Sequence, residues 1–366
     1  MTYRPRMTAA LGMRDLSTNE RTQLNFRICA MRVIACMAIV LLHTANVAEI
    51  LYREQITLTQ RAVSMGIVYE MMWAVPVFLM VSGSLLLPPE KEITTQTSLT
   101  RYALRILIVL IAFVFLFRFF DMVMNGEGFS VSLLSDALLK LFTGTSWSHL
   151  WYLYLLIGIY VLLPFYKMIA EKADEKQLRY LLLVYALFLS LLPLTRMAGV
   201  SSAFTIQTAA IYLFYFFAGY ACAKNILNFS KGTAVCGLLL STALIALLTH
   251  VRFAYDAAFL ETVLNSYASP LVLVQTLSVF TLLYREKKAE EGEKVFGGRL
   301  ITFLDENSFG IYLVHMIFIR YVFRYRQVTP YAFAPLSFIV YAAVFFVASC
   351  FAVFLLRRIP LIRKVL

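Results

Sequence analysis

Ten runs of mostly apolar residues, most of them close to the length needed to cross a bilayer, leave this chain few ways to fold. A spanning helix needs about 20 predominantly apolar residues. Such runs fall at 26–46, 66–88, 102–124, 150–169, 179–195, 205–222, 232–250, 266–284, 308–325 and 332–356. They predict an all-α integral membrane protein, a polytopic bundle of about ten transmembrane helices. The runs at 179–195 and 205–222 are short, so nine or eleven spans also fit the pattern.

Composition supports this reading. Hydrophobic residues make up 61% of the 366 and charged ones 15%, whereas a soluble domain carries about 45–50% and about 25%. The net charge of +12 does not call for a nucleic-acid partner, because the basic residues are scattered through short connections between apolar runs. Placing both termini in the cytoplasm puts roughly 23 basic residues inside and roughly 8 outside, the usual direction of bias. Arg320, Arg324 and Arg326 run against it.

The domain reading is simple. Residues 1–25 form a polar, basic cytoplasmic tail without the apolar core of a signal peptide. Residues 26–356 form one transmembrane domain, and 357–366 a short basic tail. The larger connections are 125–149, placed outside, and 285–307, placed inside, where REKKAEEGEK at 285–294 reads as a solvated loop. Five cysteines (Cys29, Cys36, Cys222, Cys236, Cys350) lie in or beside apolar runs with no C-x-x-C pair, so neither a disulfide framework nor a metal site is expected.

Ionisable residues inside spans are costly and point to function. Arg32 and His43 share the first run with ten residues between them, roughly 16 Å along a helix. His43, near the outer end, suits a general base because an imidazole titrates near neutral pH. Arg32, toward the inner end, suits an anion contact through its guanidinium fork. Arg101 and Arg105, four apart, share a face at the inner start of the third run and are phosphate-binding candidates, a pattern that positive-inside anchoring explains about as well. His149 and Trp151 sit in SWSHLWYLYLLIGIYVLLP, with His149 at a depth matching His43. Tyr312 and His315 lie in ENSFGIYLVHMIFIR, and Ser82 precedes Gly83 in VPVFLMVSGSLLL, where small residues permit close helix contact. Glu70, at the outer end of the second run, is a candidate to orient His43, and Arg118 and Asp121, three apart, are a candidate local pair.

Four blocks in order carry a resemblance: Arg32 through His43, VPVFLMVSG, SHLWYL leading to Pro164, and SFGIYLVH at 308–315. Together they span almost the whole chain and resemble acyltransferase family 3, multi-pass O-acyltransferases of bacterial cell-surface glycans. The pattern looks most like the enterobacterial common antigen O-acetyltransferase group. The resemblance implies transfer of acetyl from cytoplasmic acetyl-CoA, used as a substrate with no permanently bound cofactor, to a hydroxyl of a glycan or lipid-linked glycan. It implies a home in the bacterial inner membrane, and it places the family's essential histidine on His43 and essential arginine on Arg32. Many members carry an acidic residue three positions before the arginine; this chain has Cys29 there.

The competing class is a transporter or flippase of a lipid-linked glycan or other anionic substrate. It would be expected to show matched helix breaks in two halves, which the sequence does not display. For the enzyme, CoA phosphates cannot cross hydrocarbon, so the donor must reach in from the cytoplasm. A tunnel is therefore expected, with Arg32 at its inner side, His43 at its outer side, and Ser82, His149, Trp151 and His315 as wall candidates. Membrane lipids are the other expected partners, and homo-oligomerisation stays open.

Overall fold

The computed structural model describes residues 18–198, 210–284 and 298–363, and every regular element among them is helical. Most of the N-terminal tail, the REKKAEEGEK loop and the last three residues of the C-terminal tail lie outside the described residues. The longer helices are α1 (Thr18–Tyr52), α2 (Leu58–Met71), α3 (Ala74–Leu86), α4 (Leu104–Asn125), α5 (Val131–Thr143) and α6 (Trp151–Lys172). They continue with α7 (Glu175–Tyr185), α8 (Ile211–Ala223), α9 (Lys231–Ala254), α10 (Pro270–Tyr284), α11 (Gly298–Arg320) and α12 (Leu336–Leu356). Each of the ten apolar runs overlaps a helix. Among the described residues, seven stretches are long and apolar enough to cross a membrane: 24–52, 58–86, 95–125, 148–172, 175–197, 231–254 and 336–356. Helices α8 and α10 are apolar but shorter.

Prolines shape two of these spans. The run expected as one helix over 66–88 is broken at Met72–Trp73 into α2 and α3. Pro76 explains the break, since it has no N–H for the Met72 carbonyl and its ring crowds that carbonyl. Pro164 lies inside α6 and likewise frees the Tyr160 carbonyl. There the helix stays continuous, and Ser98 Oγ donates to the orphaned oxygen at 2.5 Å. Ser98 opens the π-helical turn Ser98–Ala103 that leads into α4, so the lost bond becomes a tie between neighbouring helices.

The connection at 125–149, expected as a loop, contains the amphipathic α5. Asp136 on α5 accepts from Arg118 Nε at 2.6 Å, and Arg118 also reaches Glu127 at 2.8 Å. Arg118 therefore does not pair with Asp121.

The centre of the bundle is α1, which packs against α2, α3, α10, α11 and α12. Its contacts with α11 keep a nearly constant sequence offset. Arg32 meets Asp305, Cys36 Sγ meets Ser308 O at 3.5 Å, and His43 meets His315; Tyr52 OH donates to Phe323 O at 2.6 Å. A constant difference, rather than a constant sum, means that the helices run parallel. Parallel spans need an odd number of crossings between them. Among the described residues, five long apolar stretches and the shorter apolar helices α8 and α10 lie between them.

Helices α3 and α8 touch backbone to backbone. A Cβ built on Gly83 would lie 1.8 Å from Phe216 O, and one on Gly219 would lie 1.9 Å from Met80 O. With no hydrophobic drive between helices in lipid, small residues supply association through such close approach. Gly83→Ala and Gly219→Ala are each expected to lower stability by roughly 1–3 kcal/mol through overpacking. Gly158→Ala, whose Cβ meets nothing within 4 Å, should be neutral or stabilising. Thermal unfolding in detergent checks all three; an unchanged midpoint in Gly83→Ala would refute the close contact.

Candidate active site

The α1 face that meets α11 carries both costly residues of the first span. Near its start, Arg32 Nε lies 3.2 Å from Asp305 Oδ1, and Nη1 donates to Oδ2 at 3.3 Å. The Asp305 side chain is 6% exposed and that of Arg32 is 20% exposed, so the carboxylate is inside and the guanidinium keeps an opening. Sequence reasoning missed Asp305. The signal was the absent acid three residues before Arg32: the carboxylate that position 29 lacks arrives from α11, 273 residues away.

Three imidazoles meet eleven residues further along α1. His43 Nδ1 lies 2.8 Å from His315 Nε2 of α11, with the rings stacked at 5.0 Å between centroids. His149, from the turn Ser148–Leu150 just before α6, presents its edge to both rings, at 6.1 Å from His43 and 5.5 Å from His315. His149 Nε2 is 3.3 Å from Leu313 O, and Tyr312 OH donates to the His149 carbonyl. His149 and His315 are fully buried, whereas His43 is half-buried. The 2.8 Å contact is a hydrogen bond, because two nitrogens held at about 2.0–2.1 Å by one tetrahedral ion stand well over 3 Å apart.

A polar cluster flanks the histidines. Asp121 accepts from Trp147 Nε1 at 2.8 Å, Tyr325 OH at 3.2 Å and Arg320 Nη1 at 3.3 Å. The Arg320 guanidinium lies 4.3 Å over the Trp147 ring, and Trp147 stacks on Phe117 at 4.1 Å. Arg320, one of the charges that weigh against the expected orientation, is thus neutralised locally by Asp121.

The structure brings His43, His149, His315 and Tyr312 together, and places the remaining candidates elsewhere. Trp151 packs on Tyr212 and Tyr267, each at 5.5 Å. Ser82 Oγ turns back to Phe78 O at 2.8 Å. Glu70 does not orient His43. Its Oε2 accepts from Gln275 Nε2 at 2.9 Å, because α2 presents it to α10 and away from the α1–α11 seam. It lines a cavity of about 580 Å³ with Leu41, Gly66 and His250, and neither Arg32 nor His43 borders that space. Arg101 and Arg105 are exposed. In the turn after α3, burial and the nearby Lys167 charge push the Lys91 ammonium down to about 8, with Lys91 5.7 Å from the Tyr102 ring.

Removing one member of the Arg32–Asp305 pair strands the other in an apolar setting. Arg32→Ala and Asp305→Ala should therefore be non-additive, with a coupling of roughly 0.5–3 kcal/mol in a double-mutant cycle. Unfolding in detergent measures it, and strict additivity would mean that the pair carries no interaction energy.

A family model described as an acyltransferase domain matches residues 25–358. Neither a curated protein nor a solved structure is matched by the chain. The match takes in the Arg32–Asp305 pair and the three-histidine cluster alike, and the chain belongs to acyltransferase family 3.

Proposed function

We propose that this protein is a membrane O-acetyltransferase that moves an acetyl group from cytoplasmic acetyl-CoA to a hydroxyl of a cell-surface or lipid-linked glycan. Family membership supplies the reaction class. The observation that carries the finer reading is the distribution of polar groups along one seam. A guanidinium stands at one end of the α1–α11 face and an imidazole cluster at the other, eleven residues further on. On this reading α8, α10 and α11 cross as well, giving ten spans with both termini in the cytoplasm of a bacterial inner membrane. The motifs resemble those of the enterobacterial common antigen O-acetyltransferase group, which makes a polysaccharide hydroxyl the acceptor of choice.

The chemistry follows from the placement. Arg32, with Arg105 and Arg101 outside it, holds donor phosphates at the inner end, and the pantetheine arm runs along the seam to His43. The rise between Arg32 and His43, roughly 16 Å, is of the order of that arm. His43 takes the proton of the acceptor hydroxyl as its oxygen attacks the thioester carbonyl carbon. The tetrahedral intermediate collapses with breakage of the C–S bond, and the imidazolium returns its proton to the departing thiolate as CoA-SH. General acid–base catalysis of this kind contributes about 10²–10⁴-fold. Tyr312 fixes the backbone that carries His149, and so the second wall of the cluster.

His43→Ala and His43→Gln are expected to lose transfer by roughly 10²-fold or more while remaining folded, since glutamine keeps hydrogen bonding but takes up no proton at neutral pH. Acetylation of glycan acceptor from radiolabelled acetyl-CoA, with release of CoA, is the readout. Wild-type rates in either variant would end the general-base assignment. Arg32→Lys should also impair transfer, because charge is kept and the planar fork is lost. Calorimetry with acetyl-CoA should find weaker binding to Arg32→Ala, and Asp305→Ala serves as the control for the broken ion pair. Equal affinity in wild type and Arg32→Ala would leave Arg32 a structural role only.

A further inference from the structure

We infer that His315 is a positioning residue that holds His43 in the tautomer protonated on Nδ1, so that the free lone pair, and therefore the basic atom, is His43 Nε2. The inference deepens the acyltransferase reading and rests on it for its catalytic consequence. The tautomer itself follows from contacts alone.

The assignment starts at the far end of the chain of bonds. His315 Nδ1 lies 3.2 Å from the Ile311 carbonyl, one turn earlier on α11. A carbonyl oxygen only accepts, so the proton of that bond belongs to His315 Nδ1. A neutral imidazole has a single N–H, which leaves His315 Nε2 as an acceptor. That atom is 2.8 Å from His43 Nδ1, so the proton between them belongs to His43. His43 Nε2 is then the unprotonated nitrogen. Unlike the two buried histidines, half-buried His43 retains access to the remaining space.

Charge arguments keep His315 neutral. Its ring is fully buried. The titratable groups with rings against it are His43 from α1, His149 from the turn before α6, and Tyr312 from its own helix. None is a carboxylate. Asp121, the acid of the flanking cluster, is engaged by Arg320, Trp147 and Tyr325. A buried imidazolium at position 315 would lack an anion to offset its desolvation.

His149 is held in the complementary way. Its Nε2 faces the Leu313 carbonyl and so carries the proton, and its buried Nδ1 has no partner. Two acceptor nitrogens, His315 Nε2 and His149 Nδ1, therefore belong to the rings around His43. When His43 takes the acceptor's proton on Nε2, His315 Nε2 stabilises the imidazolium through the Nδ1–H bond. A neutral imidazole thus does here what an orienting carboxylate does in other histidine bases, fixing tautomer and ring direction.

The test is nuclear magnetic resonance on protein labelled with 15N-histidine in detergent micelles. The chain has only four histidines, so single substitutions assign the signals. The expected result at neutral pH is a protonated Nδ1 and a bare Nε2 for His43. His315→Ala should release that preference and lower CoA release from acetyl-CoA by roughly 10-fold or more, with the KM for acetyl-CoA unchanged. His315→Gln, whose amide oxygen still accepts, should keep the tautomer and recover much of the rate; it also serves if the alanine variant does not fold. A bare Nδ1 on wild-type His43, or an unchanged tautomer in both variants, would overturn the inference. A correct tautomer in a protein that never cleaves acetyl-CoA would instead defeat the acyltransferase reading and leave the assignment of His315 standing.

Discussion

The seam between α1 and α11 is the constraint on which the rest of this structure depends. An ionised or strongly polar side chain in hydrocarbon costs several kcal/mol unless it finds a partner. Along this seam an ion pair, a thiol–carbonyl contact, an imidazole pair and a phenol–carbonyl bond follow one another at offsets of 273 to 271 residues. Such contacts set the register of two helices more sharply than apolar packing does, because a slip of one residue would strand several polar groups at once. The costly residues of the first span thereby become the specification for where the penultimate long helix must lie.

The surrounding helices make room for that seam and hold it. Gly83 and Gly219 let α3 and α8 meet backbone to backbone beside α1. At the end of α1, buried Glu49 accepts from Arg53 and Arg61 at 2.9 and 2.8 Å, which closes the hairpin to α2 with a compensated charge. Asp121, Arg320, Trp147 and Tyr325 join α4 to the end of α11, and with Tyr312 they fix the short turn that delivers His149. The histidine cluster is therefore assembled from three separate parts of the chain, each held by polar bonds of its own.

The two ends of the seam differ in the kind of polar group they carry. At the Arg32 end the polar groups are cationic: a partly open guanidinium, further arginines on the surface, and Lys91 with a depressed affinity for its proton. At the His43 end, beside the Asp121–Arg320 pair, His149 and His315 are buried rings held to backbone carbonyls. In the proposed function, the first kind of surface meets the donor phosphates and the second the hydroxyl that loses its proton.

The sequence by itself determined the all-helical membrane character, because runs of apolar residues leave little alternative, and it singled out Arg32 and His43, because ionisable groups are rare inside such runs. It also marked His149, Tyr312 and His315 one by one, without showing that they meet. Partnership was decided only by tertiary structure. Asp305 fell in the 285–307 connection and was not singled out, Glu70 was a candidate to orient His43 and instead meets Gln275, and Arg118 and Asp121 were a candidate local pair. The physical reason is common to all of these. Helical periodicity fixes which residues share a face, but a partner on another helix lies at no characteristic sequence distance, and only the packing of that helix brings the two charges within reach.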